Sequence, residues 1–202
     1  SSPSPVKNPL NNNFRRAYMK SESFFSPAHA ILLVIDVQGK LAEVVHDHEN
    51  VRRRIETLVT ACQILSVPIV HTEQAPQKIG RTIPSIAGLL GGIEPVEKLS
   101  FSCCGSPAFV QKLESSERKQ ILVAGIESHI CVYQTVIDLL RAGYQVQVVA
   151  DAVSSRTMEN KAISLDRMKI SGAGITATEM MICELLKGAE HEKFRDVMKL
   201  IK

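Results

Sequence analysis

The chain has 202 residues, of which 45% are hydrophobic, and a formal net charge of +3. This size and composition predict a single folded domain with an ordinary core, and they exclude a chain that is disordered throughout. Because the charge is mild and no basic block interleaves with aromatic residues, nucleic acid is not expected as a partner. No apolar run has the length of a membrane span, so we expect no membrane partner either.

Residues 1–27 differ in composition from the rest of the chain. They are rich in Ser, Pro and Asn, and they lack the apolar stretch and the cleavage site of a secretory signal. A pair of arginines leaves a transit peptide open as an alternative, whereas a run of three Asn is typical of vector sequence. We expect a disordered or vector-derived segment over 1–27, a native start at Met19, and a folded domain over 28–202.

The cysteines indicate the compartment. There are five of them, an odd number, and none forms a C-x-x-C pair of the kind that binds zinc. A disulfide framework is typical of small secreted domains, which this chain does not resemble in size. We therefore expect a reducing compartment, the cytoplasm, with mitochondria as the alternative. The adjacent Cys103 and Cys104 are interpreted as packing residues.

Strand and helix patterns alternate from Ile31 onwards. Ile31–Ile35 is a continuous apolar run, typical of a strand buried on both faces of a parallel sheet. Apolar residues at helical spacing predict a helix over 47–66, and Val67–His71 is the second predicted strand. Residues 72–92 contain several Pro and Gly residues, so they are predicted to form a long loop with at most one short helix. Long loops in compact domains are usually functional.

The alternation continues to the C-terminus. Ser106 and Pro107 have the N-cap and first-turn chemistry of a helix. Gly143 has the place of a C-terminal cap after another helix. The predicted strands of this half cover 120–124, 145–150 and 174–178, and the predicted helices cover 106–115, 128–142, 158–170, 178–187 and 190–201.

Strands that alternate with helices predict the fold class. We expect an α/β fold of three layers, a doubly wound, Rossmann-like parallel sheet with helices on both faces. In such a sheet, ligands bind beyond the carboxyl ends of the strands. Chemically active residues are therefore expected where predicted strands end.

Asp36 and Cys131 have that position. A carboxylate directly after five apolar residues is costly unless it is exposed or has a partner, although Asp36 could also cap the following turn. Cys131 lies at the start of a predicted helix, where N–H groups favour a thiolate and could hold an oxyanion. The alternative is that Cys131 is a small buried hydrophobic residue. Lys98, taken alone, is compatible with an ordinary exposed lysine.

Five segments together resemble the isochorismatase-like cysteine hydrolases, most closely the isochorismatase-domain-containing branch. The order and the spacing of these segments carry the resemblance, which covers nearly all of the predicted domain. In chain order they are Ile35–Gln38, His71–Gln74, Lys98–Ser102, Gly125–Val132 and Val149–Arg156.

The resemblance implies a catalytic triad. In this interpretation Asp36 is the acid and base, Lys98 is the lysine that stabilises the thiolate, and Cys131 is the nucleophile. The family typically has a cis peptide bond before Glu127, and the backbone N–H groups of Glu127 and Cys131 would form an oxyanion hole.

The resemblance also implies how the pocket is lined. Gln38, Glu73 and Gln74 match motif positions and are expected to bind substrate. The nicotinamidase branch has a metal site after its second strand, but the histidines of that site are missing here, so no metal and no cofactor are expected. His129 is expected to have a structural role, because residues two apart at a helix start diverge.

Three functions are compatible with these residues. The first is hydrolysis of a C–N bond in a small amide-like substrate through a thioester on Cys131. The second is vinyl-ether hydrolysis of the isochorismatase type, which does not need a thiol. The third is a non-catalytic scaffold that has kept the fold. Family members of this kind are commonly homo-oligomers, so we expect a symmetric assembly with a small-molecule substrate.

Overall fold

The computed structural model describes residues 24–201, and within them six strands form one parallel sheet. The strands, numbered in chain order, are β1 Ala30–Ile35, β2 Ile69–Gln74, β3 Val96–Lys98, β4 Gln120–Ile126, β5 Gln145–Ser154 and β6 Gly174–Thr176. The α-helices are α1 Leu41–Val44, α2 His48–Ile64, α3 Pro76–Ile79, α4 Pro84–Leu89, α5 Pro107–Ser115, α6 Tyr133–Arg141, α7 Met158–Ile170, α8 Thr178–Leu186 and α9 Phe194–Met198.

The sheet is doubly wound. Its strand order is β3-β2-β1-β4-β5-β6, so the chain runs outward from β1 to β3, returns to the centre at β4, and runs outward again to β6. The order reverses between β1 and β4, and this switch point is where ligands bind in open α/β sheets.

Helices cover both faces of the sheet. Successive side chains of a strand point to opposite faces. Leu32 and Val34 pack in one core with α2, α4, α8 and α9, whereas Ile31, Leu33 and Ile35 pack in another with α5, α6 and α7. The predicted three-layer α/β fold is therefore confirmed.

The predicted loop over 72–92 is wrong in part. β2 continues to Gln74, because Thr72–Gln74 pairs with β3 on its outer side. β3 itself was not predicted, since it has only three residues, two of them charged. The remainder of the predicted loop contains two short helices, α3 and α4, instead of at most one.

The ends of the domain also differ from the predictions. Phe25 is buried and its N–H donates to Glu184 Oε1 at 2.7 Å, so the packed part of the chain begins before the predicted boundary at residue 28. The rest of the predicted segment 1–27, residues 1–23, lies outside the described residues. The predicted helix over 190–201 is shorter, because only Phe194–Met198 is helical. Across residues 24–201, no helix combines the length and the apolar character needed to cross a bilayer.

Candidate active site

A glycine is required where the two central strands pair at their carboxyl ends. Gly125 has a φ of +121°, and a Cβ at this position would lie only 2.1 Å from Ile35 O. Only glycine tolerates both that backbone conformation and that contact. The pairing between β4 and β5 also shifts register between Val123 and Gly125. Glycine here brings the segment after β4 against the residue that follows β1.

That residue is Asp36, whose carboxylate is held at both oxygens. It is 2% exposed and has a φ of +50°, in the left-handed region. Thr72 Oγ1 donates to Asp36 Oδ1 at 2.6 Å, and Lys98 Nζ donates to Oδ2 at 2.7 Å. A buried carboxylate needs such partners, because losing water without them is costly. Its orientation is therefore fixed.

Lys98 is the last residue of the edge strand β3, and its side chain extends to Asp36 at the end of the central strand β1. Its side chain is completely buried. Besides Asp36, its ammonium donates to Gln74 Oε1 at 2.9 Å and to the carbonyl oxygens of Ser100 and Phe101, each at 3.1 Å. An ammonium group has three hydrogens and is satisfied by these four acceptors. The alternative of an ordinary exposed lysine is excluded, and Lys98 lies beside Asp36.

Cys131 lies in a π-helical turn, Ser128–Val132, that precedes α6. Its thiol is 3.6 Å from Gln74 Oε1, the same oxygen that accepts from Lys98. Asp36 and Cys131 line one cavity of about 160 Å³ at the switch point. The structure thus brings Asp36, Lys98, Gln74 and Cys131 together.

The surroundings of Cys131 favour the neutral thiol over the thiolate. Burial raises the pKa of this thiol, the negative charge of Asp36 raises it further, and the positive charge of Lys98 acts in the opposite direction. The helix start was expected to favour a thiolate, whereas burial and the charge of Asp36 act in the opposite direction. A nucleophilic Cys131 would therefore need a base to take its proton, and the Asp36 carboxylate lies beside it.

Glu127 links β4 to the turn that contains Cys131. The peptide bond between Ile126 and Glu127 is cis, as the resemblance implies. Glu127 Oε1 accepts from both N and Nε of Arg156, at 3.1 and 2.9 Å. The side chain is thereby fixed to the segment after β5, while the backbone runs along the cavity.

The fold and this geometry agree with comparisons to known proteins. The sequence signature described as the isochorismatase domain matches residues 30–180. The chain belongs to the isochorismatase family. The resemblance inferred from the five sequence segments is confirmed.

Its relatives in the isochorismatase family cover most of the chain. Isochorismatase family protein 1A of Dictyostelium discoideum is 34% identical over 186 residues, which are 90% of this chain and 90% of that protein. Isochorismatase domain-containing protein 2 of Bos taurus is 36% identical over 177 residues, 87% of this chain and 84% of that protein.

Solved structures extend the likeness. A structure titled MAR1 ribonuclease, from Caenorhabditis elegans, is 35% identical, has a TM-score of 0.84, and covers 89% of this chain and 92% of its own. YcaC from Pseudomonas aeruginosa, with a TM-score of 0.82, covers 87% of this chain and 90% of its own. At 20% identity, YcaC supports the fold alone. The chain therefore has the fold of an isochorismatase-family hydrolase.

Gln38 lines the same cavity as Cys131, and its side-chain amide is bound to the backbone. Gln38 Nε2 donates to Gln74 O at 3.1 Å and to Gly80 O at 2.6 Å, and Gln38 Oε1 accepts from Gln74 N at 2.7 Å. Both of its amide hydrogens are therefore used by the backbone. Gln38 fixes the backbone of Gln74, whose side chain contacts the catalytic candidates.

Glu73 is not in the cavity at all. β2 is a strand here, so Glu73 and Gln74 point to opposite faces. Glu73 lines a separate cavity of about 820 Å³ near the sheet edge, which contains none of the three triad candidates. Burial alone would raise the pKa of Glu73, but hydrogen bonds from Thr82 and Arg81 outweigh it and the pKa is lowered. The structure therefore places Glu73 away from the cavity that Cys131 lines.

Two residues near the site were missed by the sequence analysis. Thr72 orients Asp36, and its place two residues before Gln74 in a strand could have indicated the shared face. Cys103, interpreted as packing, is buried with its Sγ 3.9 Å from Thr72 Oγ1, and burial raises the pKa of its thiol to about 12. His129 Nδ1 lies 2.9 Å from Ser155 Oγ, which agrees with the structural role expected for it.

Proposed function

We propose that this protein is a cysteine hydrolase of the amidohydrolase type, which cleaves a C–N bond of a small amide-like substrate through a thioester on Cys131. One observation carries the proposal. Asp36, Lys98 and Gln74 form a continuous set of contacts that ends at the Cys131 thiol, at the switch point of the sheet. A scaffold without chemistry has no need to bury a lysine and a carboxylate beside a thiol, because burying them is costly.

The geometry supports a sequence of steps in which atoms balance. The Asp36 carboxylate takes the thiol proton as Cys131 Sγ attacks the carbonyl carbon. The backbone N–H groups of Glu127 and Cys131 are proposed to stabilise the oxyanion. The protonated Asp36 then gives its proton to the leaving amine as the C–N bond breaks. Water, deprotonated by Asp36, attacks the thioester, and the acid leaves as the thiol is restored.

Lys98 and Thr72 have supporting roles in this scheme. Lys98 keeps a positive charge beside the sulfur and the carboxylate, which favours the thiolate during attack. Thr72 and Lys98 occupy one oxygen of Asp36 each, so the carboxylate cannot rotate away. Gln74 accepts from both Lys98 and the thiol, and it is proposed as the contact that aligns them.

Neither a metal nor a cofactor enters the proposed steps. Across residues 24–201, no group of three His, Cys, Asp or Glu side chains could hold a metal ion. We propose that hydrolysis survives prolonged chelation. Activity that disappears on chelation and returns with added zinc or iron would contradict this part of the mechanism.

Two other functions fit the site less well. Vinyl-ether hydrolysis of the isochorismatase type does not use a thiol, and here the thiol has a base beside it. The ribonuclease named for the nematode relative acts on a polyanion, whose phosphates are usually bound by Lys and Arg. Among the described residues, the wall of the Cys131 cavity has neither.

Replacement of Cys131 tests the proposal. A panel of small amides and ureides is offered to the wild type and to Cys131→Ala, and quenched samples are weighed by intact-mass spectrometry. We expect an acyl adduct mapped to Cys131 in the wild type, and neither adduct nor turnover in the variant, which keeps its circular dichroism spectrum. Cys183→Ala, at an exposed cysteine, is the matched control and should behave as the wild type. Turnover that persists in Cys131→Ala would rule out the thioester.

We also propose a symmetric homo-oligomer in which Thr72–Gly92 and α6 contribute to interfaces. Phe101, on the cavity wall, and its neighbour Leu99 lie in the chain between these two segments and are 53% and 84% exposed. Large apolar side chains grouped in this way are typical of surfaces that another chain covers.

A further inference from the structure

We infer that the Cys131 site takes small uncharged amides whose acyl group carries an apolar substituent. The inference rests on the proposed thioester chemistry and goes further, because it names the class of substrate. It follows from the chemical character of the cavity wall, from the pairing of the charged groups around it, and from its volume.

Apart from Asp36, Gln38, Gln74, Glu127 and Cys131, the wall of the cavity is apolar. Five of the ten lining residues have hydrocarbon side chains, and they come from four separate segments of the chain. They are Leu41, Ile79, Phe101, Ile126 and Ile130. A substrate in this cavity therefore contacts hydrocarbon from several segments, and an apolar group gains most from leaving water there.

The charged groups near the cavity leave no partner for a charged substrate. The two carboxylates on the wall, Asp36 and Glu127, already pair with Lys98 and Arg156, at 2.7 and 2.9 Å. Within residues 24–201 the wall contains no Lys, Arg or His. A substrate carboxylate would lose its water, face two carboxylates and find no cation, which is strongly unfavourable.

The volume limits the length of the substrate. A cavity of about 160 Å³ holds only a few non-hydrogen atoms beyond the carbonyl group. Ile79 and Phe101 are 37% and 53% exposed, so they stand at the mouth of the cavity and extend its apolar surface outward. A short alkyl or aryl group on the carbonyl carbon fits this shape.

Alkylation of Cys131 tests the inference without knowledge of the natural substrate. Iodoacetamide and iodoacetate differ only in charge at the group beside the reacting carbon. Rates at Cys131 in the whole protein are followed by peptide mass mapping, and each is divided by the rate with N-acetylcysteine amide in the same tube. Both reagents react with the same thiolate, so the thiol pKa affects the two rates equally. The ratio of the two corrected rates therefore depends only on how the cavity accepts each reagent.

We expect iodoacetate to be at least about tenfold slower than iodoacetamide at Cys131 after this correction. N-butyl iodoacetamide should be about fivefold faster than iodoacetamide, because its alkyl group is removed from water. Equal corrected rates for iodoacetate and iodoacetamide would overturn the substrate class. Cys131 that resists both reagents while Cys183 is labelled would instead overturn the covalent role of Cys131, and the substrate class with it.

A pair of charge variants separates the cavity from the overall charge of the protein. Phe101→Arg places a cation at the mouth, and it should raise the corrected iodoacetate rate at least about threefold. The backbone carbonyl of Phe101 that accepts from Lys98 is kept in this variant. Ile170→Arg, at an 86% exposed residue that does not line the cavity, adds the same charge and should change nothing. An equal gain in both variants would refute the assignment to the cavity wall.

Discussion

Asp36→Asn should have opposite effects on the reactivity of Cys131 and on catalysis. The substitution keeps the shape of the side chain but removes a negative charge that raises the pKa of the Cys131 thiol. Lys98 remains, with Gln74 Oε1 and two carbonyl oxygens as acceptors. We therefore expect a lower thiol pKa and faster alkylation, together with loss of hydrolysis, because the base is gone.

The magnitude follows from the contact between the two groups. A charge within hydrogen-bonding range shifts a pKa by about 1–3 units, and removal of Asp36 is taken as about two. The thiolate fraction at neutral pH then rises about a hundredfold. Intrinsic nucleophilicity falls as the pKa falls, with a Brønsted coefficient of about 0.4–0.5, which removes about half of the gain on a logarithmic scale. The net expectation is alkylation about tenfold faster.

The assay is iodoacetamide labelling at pH 7.5, with Cys131 and the exposed Cys183 resolved as separate peptides. Cys183 provides the internal reference, and amide hydrolysis is measured on the same preparations. Asp138→Asn is the matched control, because the charge of Asp138 raises the pKa of Cys104. That variant should change labelling at Cys104 and leave Cys131 unchanged. Labelling of Cys131 in Asp36→Asn that is no faster than in the wild type would refute the reasoning.

Three further expectations concern stability and assembly. Lys98→Met leaves the Asp36 carboxylate buried without its cation, so it should cost about 3–5 kcal/mol and lower the Tm by about 10 °C. Lys78→Met, at an exposed lysine, is the control, and equal Tm values for the two variants would contradict the role of the buried pair. Gly125→Ala places a Cβ 2.1 Å from a carbonyl oxygen and should prevent folding, whereas Gly88→Ala, with no atom within 4 Å of its Cβ, should fold normally. Light scattering at micromolar concentration should give a multiple of 22.2 kDa, and a mass of one chain would end the proposal of a shared assembly.

The central strands could be predicted from the sequence because their residues are unambiguous. Ile31–Ile35 is apolar throughout, and such a run is typical of a strand that is buried on both faces. β3 could not be predicted, because Val96–Lys98 is too short to show any period and two of its three residues are charged. Glu97 is exposed, whereas Lys98 is buried and pairs with Asp36, which is distant in sequence.

The candidate active site was also predictable only in part, because some of its contacts join residues that are distant in sequence. Asp36 and Cys131 could be proposed because each follows a recognisable strand, and the segment resemblance added Lys98. Of the three predicted substrate-binding residues, Gln38 and Gln74 line the Cys131 cavity and Glu73 does not, and this difference could not be predicted without the extent of β2. Once Glu73 is in a strand, alternation places it on the face opposite to Gln74. The pKa of the Cys131 thiol also depends on burial, which cannot be predicted from the local sequence.

The bond between Lys98 and Asp36 joins two residues 62 positions apart and attaches the short edge strand β3 to the centre of the sheet. In a comprehensive mutational scan, substitutions at these two positions should therefore lower the abundance of the protein as well as its turnover. Cys131, which supplies no such link, should be constrained by turnover alone. A lineage relieved of selection for catalysis would then lose the sulfur early and keep the lysine and the carboxylate longer, so the three residues together, and not the buried pair alone, indicate a relative that is still an enzyme.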